Sequence, residues 1–231
     1  PECDIFDTWQ TSSITPQINC RWAVDDEMYK KMMPMSLRPN AHDIIRTWDF
    51  YTIAKSHYHS NCLPWENVMI SGFVMANKDE KISKSKSNSK MSPEVLLKEK
   101  SADITRYWAV TGSLGRDIVF TDEEFKNGAK LVNKIWNASR FVLSLLNDYK
   151  PREIELKPMD QWIIAKYNDM LQRFKGYFDK YEIGLAMNEL EKFFWNFCDN
   201  YIEIVKRRMY NPDIYGEAAT ESAKFASYKV L

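Results

Sequence analysis

Residues 121–146 read TDEEFKNGAKLVNKIWNASRFVLSLL, and this stretch decides how the chain is divided. Thr121 is a good N-cap, and Glu124 can return a hydrogen bond to its amide, so the pair predicts a capping box. Apolar residues then recur at helical spacing to the end of the stretch, and Pro151 lies where such a helix should already have ended. The stretch therefore predicts a long helix that begins just after Phe120.

Three more helical patterns follow this stretch. One begins near Pro158, whose missing N–H costs nothing in a first turn, and the next runs from about Ile183 to Pro212. A fourth begins at Glu217. The second and third patterns carry aromatic-rich stripes that we interpret as core, because an aromatic stripe at helical spacing is more often core than a binding surface. The stripe residues are Ile163, Tyr167, Met170, Phe174, Phe178 and Tyr181, and then Ala186, Leu190, Phe193, Phe197, Tyr201 and Ile204.

The first 120 residues show a different pattern, in which strand-like and helical segments alternate. Residues 33–37 and 67–75 are strand-like, whereas residues 43–55 and the segment from Ser92 onward are helical patterns. Alternating strands and helices predict an α/β layer, and long helices with short connections predict a bundle. The predicted fold class is therefore α/β plus all-α, with an α/β domain over 1–120 and a helical domain over 121–231 that is truncated at its C-terminal end.

The composition excludes several classes of protein. Lys+Arg and Asp+Glu both number 32, so any contact with nucleic acid must use local patches, not the overall field. No apolar run approaches the ~18 residues that a membrane span needs, so no membrane partner is expected. The 4 cysteines do not form a disulfide framework, and we expect reduced thiols in the cytoplasm. His57, His59 and Cys62 match no standard zinc spacing, so no metal site is predicted.

Residues 78–90, KDEKISKSKSNSK, are the most distinctive segment for function. By composition alone, lysines separated by serines form a solvated linker. The segment nevertheless follows a strand-like run and precedes a helix with a Ser N-cap and an early proline. Mobile ammonium and hydroxyl groups in a tethered loop are suited to bind a polyphosphate and to close over it.

Within this segment, KISKS at residues 81–85 resembles the KMSKS signature of class I aminoacyl-tRNA synthetases. The resemblance implies that Lys81 and Lys84 are catalytic and that Ser83 and Ser85 also bind ATP. Lys84 matches the lysine that stabilises the leaving pyrophosphate. Ser87 stands where the family usually has glycine, which changes backbone freedom but removes no charge.

Two upstream segments resemble the same family. DIFDTW at residues 4–9 resembles the stretch where the chain re-enters the catalytic domain, and SLRPNAHDIIRTW at residues 36–48 resembles the segment that holds the adenosine ribose. Ala41 replaces the usual glycine there. A carboxylate accepts hydrogen bonds from ribose hydroxyls, so Asp43, with His42, is the candidate ribose site.

The amino-acid pocket is predicted from the same two segments. Ile44 and Trp48 are four residues apart and would share one face of an α-helix. On composition alone they are simply core residues. The family resemblance instead implies that they join Trp9 around a branched aliphatic side chain.

The helical part resembles the family's anticodon-binding domain. LVNKIWNASRFV at residues 131–142 resembles its first helix, and FFWNFCDNYIE at residues 193–203 resembles a later one. The cluster Lys206, Arg207 and Arg208 is a weak candidate for contact with tRNA. Its alternative role is to place cations at a helix C-terminus.

The resemblance implies ATP with Mg²⁺, L-valine and a valine-accepting tRNA as partners, and no DNA. Isoleucine is the alternative substrate, and a non-catalytic tRNA-binding relative or a purely structural helical protein are the other classes. The first residue is Pro1, and no HIGH-like string surrounds any of the 3 histidines. We therefore expect a segment of a longer enzyme, lacking the HIGH-bearing half and the editing domain, that makes no adenylate by itself.

Overall fold

The computed structural model describes residues 3–83, 93–147 and 149–231. The chain forms two compact units: Pro1–Asn88 with Leu114–Phe120, and Ser89–Ser113 with Thr121–Leu231. We call them the α/β unit and the helical unit. The helices between Ser89 and Ser113 thus group with the helical unit, and the domain boundary at residue 120 stays a prediction.

The α/β unit contains two small sheets. Strands β1 (Met35–Ala41) and β2 (Trp65–Ser71) pair in parallel, so that their last residues lie side by side. In the other sheet, β3 (Val74–Asn77) lies between β4 (Glu80–Lys81), to which it is antiparallel, and β5 (Ile118–Val119), to which it is parallel. The elements are α1 (Thr8–Ser12), α2 (Thr15–Asn19), α3 (Asp26–Met32), β1 (Met35–Ala41), α4 (Phe50–Ser60), β2 (Trp65–Ser71), β3 (Val74–Asn77), β4 (Glu80–Lys81) and β5 (Ile118–Val119).

The connection between β1 and α4 differs from the predicted helix over 43–55. A 3₁₀ turn spans His42–Ile44 and a π-helical turn spans Ile45–Asp49 before α4 begins. The amide of Phe50 reaches back to the carbonyl of Ile45, which is the wider spacing of a π turn. The expectation of one regular helix was therefore wrong at its start.

The strand-like pattern over 67–75 is interrupted at Gly72. Strand β2 ends at Ser71 and β3 begins at Val74. A Cβ on Gly72 would lie 2.1 Å from the carbonyl oxygen of Arg116, so only glycine allows the two backbones to approach this closely. Segment 114–120 therefore runs directly beside the end of β2.

The helical unit confirms the predicted bundle. In the part of the chain that the structure describes, no helix has the length and apolar character to cross a membrane. The helices are α5 (Pro93–Lys100), α6 (Ala102–Thr111), α7 (Asp122–Leu145), α8 (Pro158–Phe178), α9 (Ile183–Asn196), a π turn (Phe197–Tyr201), α10 (Ile202–Tyr210), α11 (Pro212–Tyr215) and α12 (Glu217–Val230).

Two local details of the bundle differ from the sequence patterns. Thr121 is the N-cap of α7, but its side chain makes no capping bond, and Glu124 accepts instead from the indole N–H of Trp108 at 2.9 Å. The capping box was therefore wrong, because a tertiary partner takes the glutamate. The π turn before α10 also shifts the apolar stripe by one residue, so Ile204 is 50% exposed while Val205 is fully buried.

A buried polar network joins α8, the π turn, α10 and α12 of the bundle. Asp160, in the first turn of α8, is fully buried. It accepts from the hydroxyl of Tyr201 at 2.7 Å and from both terminal nitrogens of Arg208 at 2.7 and 3.1 Å. The hydroxyl of Ser222 on α12 also donates, to Oδ2 of the same carboxylate. The network ties α8 to α10 and α12, and burial next to this carboxylate raises the pKa of Tyr201.

Candidate functional site

The carboxyl edge of the β1–β2 pair brings candidate residues from separate segments together. His42 and Asp43 follow β1 directly, and Gly72 and Phe73 follow β2. Because the strands are parallel, both connections leave at the same edge, which is where open α/β sheets bind ligands. The ring centroids of His42 and Phe73 lie 4.3 Å apart, so the two connections are in contact.

Lys81 reaches the same edge from the end of β4. Its ammonium nitrogen lies 3.5 Å from Oδ2 of Asp43 and 3.4 Å from the ring centroid of Phe73. The side chains of Lys81 and Asp43 are 49% and 45% exposed, so the ion pair contributes about 0–1 kcal/mol. The structure thus gathers three predicted residues around Phe73, which the sequence pattern placed only within the strand-like run 67–75.

The backbone of Phe73 is held on both sides. Its amide donates to Oδ1 of Asp117 at 2.7 Å, and its carbonyl accepts from the amide of Ile118 at 2.9 Å. Gly72 permits this close approach of segment 114–120. These bonds fix the backbone from which the aromatic ring of Phe73 extends to His42 and Lys81.

Trp48 and the segment of Trp9 form a second group in the α/β unit. Trp48 is buried, stacks on Trp65 with centroids 5.6 Å apart, and has the guanidinium of Arg38 at 4.1 Å from its ring centroid. Its indole donates to the carbonyl of Ser12 at 3.2 Å, at the end of α1. Trp48 is thus attached to the helix that carries Trp9.

The other predicted pocket residues are more open. Trp9 is 40% exposed. Ile44 is half-buried in the 3₁₀ turn next to Asp43. Lys55 on α4 donates to the carbonyl of Gln10 and so fixes α1 from a second point, a contact that no sequence pattern indicated.

A buried carboxylate lies directly after Trp48. Asp49 is 5% exposed and accepts from the amide of Asn40 at 3.1 Å. Burial raises the pKa of Asp49, although the hydrogen bond from Asn40 and the charge of Arg38 oppose that rise. Asp49 and Asn40 connect the π turn to β1, which positions the connection that carries His42 and Asp43.

The remaining predicted residues are the rest of the signature and the basic cluster of the helical unit. Lys84 and Ser85 are outside the described residues, and Ser83 is the last described residue before them. In the helical unit, Arg208 is paired with Asp160 and Lys206 with Glu203, while Arg207 is exposed. Arg208 therefore has a structural contact that the sequence did not indicate.

Comparison with protein families places these two units. Residues 2–121 match the family of tRNA synthetases class I (I, L, M and V), which is about half of the chain. The chain belongs to the class I tRNA synthetases. Residues 160–231 of this synthetase chain match the anticodon-binding domain of tRNA ligase. The carboxyl edge described above lies within the first match, and the Asp160 network lies within the second.

Curated relatives of this class I synthetase chain agree with the family. It is 42% identical to the valine–tRNA ligase of Wolbachia pipientis wMel over 239 residues, covering 100% of this chain and 27% of the relative. It is also 42% identical to the valine–tRNA ligase of Rickettsia felis over 247 residues, covering 100% of this chain and 29% of that relative. The chain thus spans less than a third of the length of these relatives.

Solved class I synthetases share the fold. A Mycobacterium tuberculosis methionyl-tRNA synthetase in complex with methionyl-adenylate superposes with a TM-score of 0.80 at 20% identity, over 96% of this chain and 45% of that chain. A LeuRS of Agrobacterium radiobacter, in a ternary complex with tRNA, superposes with a TM-score of 0.72 at 14% identity, over 99% and 30% of the two chains. ATP is a substrate of the class I family.

Proposed function

We propose that this chain provides the KMSKS-bearing part of the catalytic domain, and part of the anticodon-binding domain, of a valine–tRNA ligase. The convergence of His42, Asp43 and Lys81 at one carboxyl edge is the observation that carries the proposal. The two family matches and the identity to valine–tRNA ligases over the whole chain support it. The enzyme would work where tRNA is charged, in the cytoplasm.

The first step is the attack of the valine carboxylate on the α-phosphate of ATP, with pyrophosphate as the leaving group. Asp43 would accept hydrogen bonds from the ribose hydroxyls, and His42 would add a further hydrogen bond to the ribose. Lys81 and Lys84, with Ser83 and Ser85, would bind the triphosphate, which enters with Mg²⁺ as its counter-ion. Catalysis of this step is mainly positioning and stabilisation of the charge that develops on the leaving group.

The amino-acid pocket is assigned to Trp9, Ile44 and Trp48. The bond from Trp48 to the carbonyl of Ser12 supports this assignment, because it keeps α1 next to the π turn. An apolar pocket of this kind separates substrates that differ by one methylene by about 1–3 kcal/mol, so isoleucine is the relevant competitor.

Transfer of the valyl group to tRNA would use the helical unit for docking. A valine-accepting tRNA is the proposed partner, and exposed cations such as Arg207 are candidates for phosphate contacts. Arg208 is a weaker candidate because Asp160 holds its guanidinium.

The proposal is tested by amino-acid-dependent ATP–pyrophosphate exchange with valine, isoleucine, leucine and threonine. The assay is run on this chain and on the full-length product of its gene. We expect valine-dependent exchange in the full-length protein and none in the 231-residue chain. A strong preference for isoleucine would mean that isoleucine, not valine, is the substrate. No exchange with any of the four amino acids would refute the proposed activity.

Asp43→Asn is expected to weaken ATP binding while leaving the stability of the protein nearly unchanged. Its ion pair with Lys81 is half exposed, so the free energy of unfolding should change by less than about 1 kcal/mol. Loss of a charge-assisted hydrogen bond to ribose should raise the KM for ATP about tenfold. Asp103→Asn is the matched control, because Asp103 also forms an exposed ion pair, with Arg106 at 3.6 Å. Equal KM values for ATP in the two variants would show that Asp43 does not bind the nucleotide.

A further inference from the structure

Phe73 lies between two residues assigned to the nucleotide. Its ring centroid is 4.3 Å from that of His42 and 3.4 Å from the ammonium nitrogen of Lys81. The same ammonium is 3.5 Å from the carboxylate of Asp43. An aromatic face attracts a cation without a directed hydrogen bond, so Lys81 can move over the ring and remain attracted to it.

The proposed function creates a competition at Asp43. In this structure its carboxylate is paired with Lys81, but the ribose hydroxyls would need the same oxygens. Both side chains are about half exposed, so the ion pair is weak enough to be exchanged. After that exchange Lys81 loses a contact that kept it near the edge, whereas the face of Phe73 is still available to it.

We propose that Phe73 is a positioning residue that holds the Lys81 ammonium beside the nucleotide while Asp43 changes partner from Lys81 to the ribose. This inference rests on the proposed function. Phe73 acts through Lys81 and not on the substrate, so its effect must disappear when Lys81 is absent.

The backbone of Phe73 is held firmly enough for this role. Its amide and carbonyl are both bonded to segment 114–120, through Asp117 and Ile118. The hairpin of β3 and β4 then returns Lys81 to the ring, and the amide of Ile82 bonds to the carbonyl of Val74 at 3.1 Å. Backbone pairing on both sides therefore keeps the main chain of Lys81 within side-chain reach of the ring.

A double-mutant cycle in the full-length protein tests the proposal, using Phe73→Leu, Lys81→Met and the double variant in valine-dependent exchange. We expect Phe73→Leu to raise the KM for ATP about fivefold with little change in kcat. In the Lys81→Met background, Phe73→Leu should have no further effect. Phe73→Tyr keeps the aromatic face and should behave like the wild type.

Packing alone would give a different pattern. Equal effects of Phe73→Leu in both backgrounds, or no effect in the wild-type background, would overturn the inference while leaving valine activation intact. Absence of exchange in the wild type would overturn the proposed function and this inference together. A measurement without variants is the NMR shift of the ε-methylene protons of Lys81, which the ring should move upfield; an unshifted signal would also overturn the inference.

Discussion

Asp160→Ala is expected to lower the free energy of unfolding of the helical unit by about 3–5 kcal/mol, because removing one partner of a buried ion pair leaves the other uncompensated. Asp160 is fully buried and accepts from Tyr201, Arg208 and Ser222. The variant would leave a guanidinium and two hydroxyls without this acceptor. Urea unfolding of the chain, followed by circular dichroism, measures the loss.

Two further variants separate charge from packing at this position. Asp169→Ala lies on the exposed face of the same helix and should change the free energy of unfolding by less than about 0.5 kcal/mol. Adding Arg208→Met to Asp160→Ala should recover part of the loss, because the unpaired charge is then removed. A loss below about 1 kcal/mol for Asp160→Ala, close to an ordinary surface substitution, would show that the network does not stabilise the bundle.

Lys84→Ala is expected to reduce the kcat of valine-dependent exchange in the full-length protein by about 10²–10³, the cost of removing one group that stabilises transition-state charge. The affinity for valine should change little, because the lysine is assigned to the pyrophosphate. The prediction rests on the match of KISKS to the signature, since Lys84 is outside the described residues. Steady-state exchange kinetics at saturating valine measure the effect.

Lys90→Ala is the matched control for this prediction. Lys90 belongs to the same lysine- and serine-rich segment but lies outside the signature. We expect less than about a twofold change, because Lys90 has no counterpart in the signature. Similar small effects of both substitutions would mean that the segment is only a solvated linker.

Helix positions in the bundle could be predicted well from local patterns. Starts near Pro158, Ile183 and Glu217 correspond to the observed helices Pro158–Phe178, Ile183–Asn196 and Glu217–Val230. A proline in the first turn and an apolar stripe are local signals, and tertiary packing reinforces them here. The π turns at Ile45–Asp49 and Phe197–Tyr201 were not predictable, because stripe analysis assumes a constant helical period.

The sequence identified the segments that form the candidate site, but it did not predict the contacts between them. The sequence singled out His42, Asp43 and Lys81 as separate candidates. Their meeting point depends on the parallel pairing of β1 with β2, which is non-local, and on the hairpin of β3 with β4, which returns Lys81 to the same edge. Phe73 carries no polar group and follows a strand, so nothing in the pattern separated it from core residues.

Attachment of valine to tRNA by the full-length protein is the most direct test of the central claim, because it requires both the activating edge and the helical unit. The assay compares valine with isoleucine on valine-accepting and isoleucine-accepting tRNA. We predict that valine is attached to the valine-accepting tRNA, with isoleucine attached to neither. Attachment of isoleucine to its own tRNA, or tRNA binding with no attachment of either amino acid, would contradict the account.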